Sequence, residues 1–229
     1  MRIDLNCDMG ELEDAAREAE LMRHISSANI ACGGHAGDDA SVERTVRLAL
    51  SGGVRIGAHP GYPDRANFGR IEMAMTAEAI ADTVYEQILR LDGTVGRLGG
   101  EIVHVKPHGA LYLAAARNPA VARAIGAGVA RWKPGAAVFG LAGSPALEVW
   151  REMGLDAVPE AFADRQYEPG GGLRSRALPG ALIADPGAAA AQAVRLAREG
   201  SARTICVHGD TPGAVEVLKA CREALLYEA

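Results

Sequence analysis

Short apolar runs rich in β-branched residues recur along the chain, and each stops abruptly on glycine, histidine, aspartate or proline. Runs of this kind, set between stretches of helical period, mark strands buried on both faces of a parallel sheet. The first is Ile3-Asp4-Leu5-Asn6-Cys7-Asp8, which breaks at Met9-Gly10-Glu11. A helix is expected over residues 13–26, and a second short strand over 28–32 opens into Gly33-Gly34-His35-Ala36-Gly37-Asp38. Asp38 or Asp39 caps the next helix, where Val42, Val46, Ala49 and Leu50 keep helical spacing. Residues 54–59 form a third strand ending on His59, and residues 62–75, which lack a period, read as a long loop over one end of the sheet.

Thr76 caps a helix with Ile80, Val84, Ile88 and Leu91 on one face and Gly93 just past its end. The fourth strand is the most informative. Ile102-Val103-His104-Val105 runs into Lys106-Pro107-His108-Gly109, and a proline cannot continue a central ladder, so Lys106 and His108 stand at the strand's mouth. Asn118-Pro119 opens a helix with Val121, Ile125 and Val129 inward. Residues 137–141 are the fifth strand, followed by a helix from Ser144-Pro145, and residues 156–162 are the sixth, where Pro159 argues for an edge or a bulge. Residues 169–176 are a glycine-rich segment expected to be a mobile loop. A helix runs from Asp185-Pro186 to Gly200, the last strand covers 204–207, and Thr211-Pro212 caps a terminal helix carrying Val215, Leu218 and Leu225.

Seven apolar strands separated by amphipathic helices imply a parallel sheet with helices outside, either a barrel or a doubly wound sheet. In both, ligands sit where the carboxyl ends of the strands meet the βα loops. Nearly all the polar punctuation falls there: Asn6, Asp8, Glu11, Asn29, His35, His59, Asp64, Lys106, His108, Glu160, Asp164, Arg165, His208 and Asp210. One histidine beside a strand is ordinarily structural, as expected for His24 and His104. His35, His59, His108 and His208, each in the turn after a different strand, converge on one mouth only if the sheet closes. A barrel is therefore favoured, because an open sheet gathers its chemistry at one switch point. Glu160, beside Pro159, divides evenly between a loop cap and a functional group. Gly170-Gly171-Gly172 lacks the lysine and hydroxyl of a phosphate-binding loop, and neither a dinucleotide fingerprint nor a nucleophile elbow is present.

Composition narrows the class further. The 229 residues suit a single barrel domain spanning 1–229. Hydrophobic residues make up 48%, yet no run spans a bilayer, and Met1-Arg2-Ile3-Asp4 has an acid where a signal peptide is apolar, so a cytoplasmic protein is expected. With net charge -5 and scattered basic residues there is no footprint for nucleic acid or an anionic membrane, which leaves a small-molecule substrate. Cys7, Cys32, Cys206 and Cys221 have no C-x-x-C spacing and are expected to be reduced and buried.

Several motifs together resemble one family. Asp4-Leu5-Asn6-Cys7-Asp8 with Gly10-Glu11, Asn29-Ile30-Ala31-Cys32-Gly33, His35-Ala36-Gly37-Asp38, Gly57-Ala58-His59-Pro60, Pro63-Asp64 and Phe68-Gly69-Arg70 are followed by Val105-Lys106-Pro107-His108-Gly109-Ala110-Leu111-Tyr112. Phe162-Ala163-Asp164-Arg165 with Tyr167, and Cys206-Val207-His208-Gly209-Asp210, complete the set. In this order, over residues 3–225, they are similar to the LamB/YcsF family. Gly34, Ala40 and a shorter segment after Glu11 depart from its usual pattern.

The resemblance implies a distorted seven-stranded β/α barrel of the glycoside hydrolase/deacetylase superfamily. It also implies hydrolytic opening of the cyclic amide 5-oxo-L-proline to L-glutamate, coupled to hydrolysis of ATP with Mg2+, beside 5-oxoprolinase subunits B and C. No tightly bound organic cofactor is expected, and self-association is left open. On this basis Asp8, His59, Lys106, His108, Asp164, His208 and Asp210 are candidate catalytic residues. Asn6, Glu11, Asn29, His35, Asp64, Arg70 and Arg165 are candidates for substrate binding. Lys106, the one lysine among the strand-end residues, and Arg165 suit a phosphate or carboxylate. Asp8, Asp164 and Asp210 suit a base or magnesium, and His59, His108 and His208 suit proton transfer. Two alternatives stand beside this: a metal-dependent hydrolase of the polysaccharide deacetylase type with Asp8, His35 and His59 around zinc or another divalent ion, and a non-catalytic subunit that presents 5-oxoproline. No familiar nucleotide motif says which subunit takes ATP.

Overall fold

Every expected strand forms, and each pairs in parallel with its neighbour: β1 (Asp4–Met9), β2 (Ser27–Ala31), β3 (Arg55–His59), β4 (Ile102–Val105), β5 (Ala137–Leu141), β6 (Asp156–Phe162) and β7 (Thr204–Cys206). β7 returns to β1, so the sheet is a closed barrel. The computed structural model describes residues 3–227, and the ends of the expected domain, 1–2 and 228–229, lie outside the described residues. The helices are α1 (Ala15–Met22), α2 (Asp39–Gly52), α3 (Ala77–Arg97), α4 (Gly109–Arg117), α5 (Pro119–Trp132), α6 (Pro145–Glu152), α7 (Pro186–Glu199) and α8 (Ala214–Tyr227). Among the described residues no helix is long and apolar enough to cross a membrane.

Register decides which side chains share the lumen. Asp8 lies opposite Asn29, Gly57 opposite His104, Leu141 opposite Glu160, and Phe162 opposite Cys206. Because strand side chains alternate, these residues face inward while Leu5, Cys7, Ile30, Val105, Val138 and Ile205 face the helices. The main apolar core thus lies between sheet and helices, where Val46, Ile88, Leu91, Ile125, Trp150 and Leu218 meet it. The lumen is polar instead, with buried Asn6, Asp8, Ser27, Asn29, His59, His104, Lys106, Glu160 and Thr204. A smaller apolar cluster of Tyr112, Leu141, Phe162 and Cys206 lies apart from that core. The four cysteines are reduced and buried, as expected.

Several local expectations are corrected. α1 is shorter than residues 13–26, because Asp14 caps it and the Ser26 hydroxyl is drawn to Asp4 and to the Leu5 carbonyl. α3 runs past Gly93 to Arg97, since Leu91 and Val95 continue its buried stripe. α4 is an additional helix: Ala110, Leu111, Tyr112, Ala114 and Ala115 are all buried, so it lacks the amphipathic stripe by which a surface helix is recognised. Pro159 marks neither an edge nor a bulge, because β6 is bonded on both sides. Its carbonyl accepts from Arg203 N–H at 2.8 Å, and the N–H it lacks would point to the chain just before β7 begins, where no ladder bond is lost. Residues 166–174 fold back as a hairpin, with Tyr167 bridged to Leu173. Thr211 does not cap α8: the helix starts at Ala214, and the Thr211 hydroxyl donates to Asp164.

The floor of the barrel is closed by polar contacts. Burial pushes the Asp4 carboxyl upward, but the hydroxyls of Ser26, Thr204 and Ser27 and the charge of Arg55 hold it below its ordinary value. Above it His104 bonds to Asn29 at 2.8 Å and stacks on Phe139 with ring centroids 4.1 Å apart. Gly57 is required across from it, since a Cβ there would overlap the imidazole. Replacement of Gly57 by alanine is expected to destabilise the fold by about 1–3 kcal/mol in urea unfolding.

Burial lowers the pKa of His104 from 6.5 to about 3, so the folded protein keeps it neutral where the unfolded chain charges it. The unfolded state then binds the extra proton, and stability that is complete above pH 6.5 falls by up to about 1.4 kcal/mol per unit as pH drops towards 3. Urea unfolding across this range is expected to show a shallower acid slope for His104→Gln than for the natural chain. Equal slopes would mean that His104 is solvated.

Candidate active site

The site is built from the last residue of each strand and the first turn beyond it. A pocket of about 550 Å³ opens there, lined by Asp8, His59, Lys106, His108, Tyr112, Phe162, Arg165, His208 and residues 172–177, among others. Lys106 is placed at its base because the β4 ladder continues one residue past Val105: Lys106 N–H donates to the Ala58 carbonyl at 2.9 Å, which sends the side chain into the lumen before Pro107 ends the strand. Its ammonium lies 2.9 Å from Asp8 Oδ1, 3.0 Å from Glu160 Oε1, 3.1 Å from Cys206 Sγ and 3.3 Å from Asn6 Oδ1.

Burial disfavours the Lys106 charge, but Asp8 opposite it, with Cys206 and Glu160, raises its pKa well above the ordinary value. Asp8 is likewise held well below the usual carboxylate range, against its burial, by His59 and Lys106. Asn29 donates to both Asp8 and Asn6, and Asn6 donates to Glu160 and Thr204, so the two amides tie the ionic centre to the strands on either side. The second oxygen of Glu160 and the Tyr112 hydroxyl are buried with no hydrogen-bond partner. The Tyr112 phenol is raised well above its ordinary value by burial first and by Glu160 second.

A histidine group occupies the other side. Glu11 is positioned by the buried carboxylate of Glu18, which accepts the N–H groups of Gly10, Glu11 and Leu12 at 2.6, 3.0 and 3.3 Å. Glu11 Oε1 is 2.9 Å from His35 Nε2, 3.2 Å from His108 Nδ1 and 3.6 Å from His59 Nε2. His35 and His108 stack at 3.6 Å. Asp64 contacts none of these groups: its carboxylate accepts from the N–H and amide of Asn67, and this turn leads to Phe68, which adopts a φ of 55°. It therefore shapes the loop and does not line the pocket.

His208 completes a dyad with Asp164. The imidazole Nδ1 lies 3.0 Å from Asp164 Oδ2, which also accepts from His208 N–H at 2.9 Å and from the Thr211 hydroxyl at 2.6 Å. Despite full burial, the His208 charge and these hydrogen bonds hold the Asp164 carboxyl below its ordinary value. An ionised Asp164 fixes the proton on Nδ1 and leaves Nε2 as the basic nitrogen, with the ring stacked on Phe162 at 5.3 Å in the pocket wall. At the rim Asp210 is paired with both Arg70 and Arg176 and so is neutralised. Arg165 donates only to the carbonyls of Ala181 and Arg174, with no carboxylate in ion-pair range among the described residues. It is a nearly buried cation without an anion.

Of the expected site residues, Asp8, His59, Arg70, Lys106, His108, Arg165 and His208 line the pocket. Asn6, Glu11, Asn29, His35, Asp164 and Asp210 stand behind them as hydrogen-bond or ionic partners. Of the expected metal ligands, Asp8 Oδ2 lies 3.4 Å from His59 Nε2 while its carboxylate is also engaged by Lys106 and Asn29, and His35 turns to Glu11. The pattern of the sequence misses Arg176, Tyr112, Thr211 and Glu18. Tyr112 lies on the helix whose uniform burial conceals it, and Thr211 and Glu18 carry no signal beyond that of an ordinary helix start.

The family model LamB/YcsF matches residues 3–229. A protein from Heliobacterium modesticaldum, named as the A subunit of 5-oxoprolinase, is 44% identical over 240 residues, covering 98% of this chain and 94% of that protein. The crystal structure of a lactam utilization protein from Thermus thermophilus matches with a TM-score of 0.92 and 41% identity, covering 100% of this chain and 97% of that one. A family 4 carbohydrate esterase from Streptomyces lividans matches at a TM-score of 0.51 with 14% identity, over 99% of this chain and 88% of that one. The last likeness is one of fold alone.

Removing one partner of a buried ionic centre leaves the others uncompensated. Lys106→Ala is expected to cost about 3–5 kcal/mol in urea unfolding, whereas Arg70→Ala at the half-exposed rim costs under about 1 kcal/mol. Equal losses would show that the lumen is hydrated.

Proposed function

Because this chain belongs to the LamB/YcsF family, we propose that it is the 5-oxo-L-proline-binding subunit of a 5-oxoprolinase, and that its pocket performs the ATP-dependent opening of that lactam to L-glutamate. The observation that supports this most is the Asp164–His208 dyad sharing a pocket of about 550 Å³ with Lys106 and the anion-free Arg165. The relatives carry the name of one lettered component of 5-oxoprolinase, which supports reading the chain as one part of an assembly, and subunits B and C are its proposed partners.

A lactam is a stable amide, so its opening near neutral pH needs an activated carbonyl and a deprotonated water. ATP supplies a phosphoryl group for that activation when bound. The unpaired Arg165, with Arg70 and Arg176 beside it, fits an anionic phosphate or carboxylate. The aspartates do not fit a magnesium cage: Asp8 is paired with Lys106, Asp164 with His208, and Asp210 with two arginines. Magnesium would therefore enter with ATP and supply charge neutralisation at the phosphates rather than rest on these aspartates.

The chain's own groups then have distinct tasks. His208 Nε2 takes a proton from water as that water adds to the phosphorylated lactam carbon, and returns it to the ring nitrogen as the C–N bond breaks. A second water then hydrolyses the acyl phosphate so formed to the glutamate carboxylate and inorganic phosphate. Asp164 holds the imidazole in the required tautomer and stabilises the imidazolium, a role it can fill because it stays ionised. Lys106 presents a fixed positive charge at the pocket base towards the oxygen on which negative charge develops. Phe162, Leu141 and Tyr112 supply an apolar wall for the ring methylenes.

In the complex reconstituted with subunits B and C, His208→Gln is expected to lower kcat for glutamate release by about 10²–10⁴-fold with little change in KM. Arg165→Met is expected to raise KM for the anionic substrates. Calorimetric titration of the isolated chain should show binding of 5-oxo-L-proline. Absence of that binding at millimolar ligand would overturn the assignment, and binding with wild-type turnover in both variants would make the chain a presenting subunit.

A further inference from the structure

Arg70, Arg165 and Arg176 all line the pocket, and among the described residues Asp210 is the one carboxylate paired with any of them. Asp210 takes a single nitrogen from each neighbour: Arg70 Nη2 donates to Oδ2, and Arg176 Nη1 lies 2.9 Å from Oδ2 and 3.2 Å from Oδ1. Neither contact is the two-nitrogen fork by which a guanidinium best holds a carboxylate. The other nitrogens of both side chains, and Nη1 of Arg165, meet no acceptor among the described residues. Arg117 and Arg174 in the same wall show the contrast, since each has a carboxylate of its own, Glu72 and Glu168.

Three guanidinium charges against one carboxylate leave a local surplus of two positive charges. Arg165 bears most of the cost, because it is 4% exposed and a buried charge without an anion is unfavourable. Burial lowers its pKa first, and the Arg176 charge lowers it further, so the two cations repel while the pocket is empty. A second carboxylate would add one charge and two oxygens. A phosphoryl group brings close to two charges and three acceptor oxygens, which answers both the surplus and the unused donors.

We propose that Arg70, Arg165 and Arg176 form a subsite for a dianionic phosphoryl group, and that Asp210 occupies it as an internal stand-in until that group arrives. The subsite rests on the lactam-opening reading for the origin of its ligand. Asp210 and a phosphoryl oxygen cannot share the same guanidiniums, since like charges at contact repel, so the ligand expels Asp210. The turn carrying Asp210 lies between Gly209 and Gly213, and its side chain is 27% exposed, so water receives the released carboxylate and the exchange costs little. A monoanion would only replace one single charge by another. The stand-in therefore selects a phosphoryl group over the carboxylate of the lactam.

The test is calorimetric titration of the isolated full-length chain with inorganic phosphate. Asp210→Asn is expected to tighten phosphate at least about fivefold, because the ligand no longer displaces a carboxylate. Arg165→Met and Arg176→Met are each expected to weaken it at least about tenfold. Arg176→Met placed in Asp210→Asn is expected to abolish the gain, which separates a local exchange from a change in net charge. 5-oxo-L-proline is expected to bind Asp210→Asn as it binds the natural chain. Tightening of Mg-ATP together with phosphate would assign the group to a nucleotide, and tightening of phosphate alone to a phosphorylated lactam. Unchanged or weaker phosphate binding in Asp210→Asn at the natural unfolding midpoint overturns the subsite, and Asp210→Ser takes its place if that midpoint falls. Tightening of the lactam without phosphate also overturns it, by giving the arginines to the substrate carboxylate. Lactam binding by the natural chain is read separately, so failure of the subsite is distinct from failure of the proposed function.

Discussion

One buried ammonium organises the lumen. Lys106 stands between Asp8 and Glu160, and the asparagines at 6 and 29 carry that charge balance to neighbouring strands. A buried charge is tolerated only when it is paired and hydrogen-bonded, so the centre demands one register: a slip of a single residue in β1, β4 or β6 would turn one of its members outward and strand the others. Such a centre adds little net stability. The apolar layer between the sheet and the helices supplies that, and the lumen is left free to be chemical.

This division explains why the fold can host a site without a separate domain. In the barrel each strand contributes an inward residue near its carboxyl end and a turn just beyond, so seven short segments distant in sequence meet at one mouth. Carboxylates, imidazoles and the ammonium are supplied by different strands and meet only in the closed barrel. Asp164 and His208 come from β6 and β7, Lys106 from β4, and the histidine group with Glu11 from the turns after the first four strands. The arginines follow the strands in loops, where Arg70 and Arg176 stay partly exposed while Arg165 is buried.

Closure of the barrel does not by itself assign a chemistry to its mouth. Asp8 occupies the end of the first strand, yet its carboxylate is committed to Lys106 and Asn29. The nitrogen-rich group forms around Glu11 instead, a residue positioned by Glu18 accepting three consecutive backbone N–H groups. Fold alone therefore says where a site lies, and the local pairing of each carboxylate says what it can do.

The strands, most helix starts and the carboxyl-end location of the chemistry are legible in one dimension, because apolar runs, caps and proline act locally. Lys106, His59, His108, Asp164 and His208 stand out for the same reason, since each is a polar residue closing an apolar run. The remainder depends on the folded chain. Helix α4 and its Tyr112 are hidden because burial on all sides erases periodicity, and Pro159 is tolerated because its missing N–H faces the chain just ahead of β7. Asp64 and Asp210 look alike in the sequence, but one serves its own loop and the other is neutralised by Arg70 and Arg176. Which carboxylate meets which cation depends on contacts between residues a hundred or so positions apart, and only closure of the barrel brings those positions together.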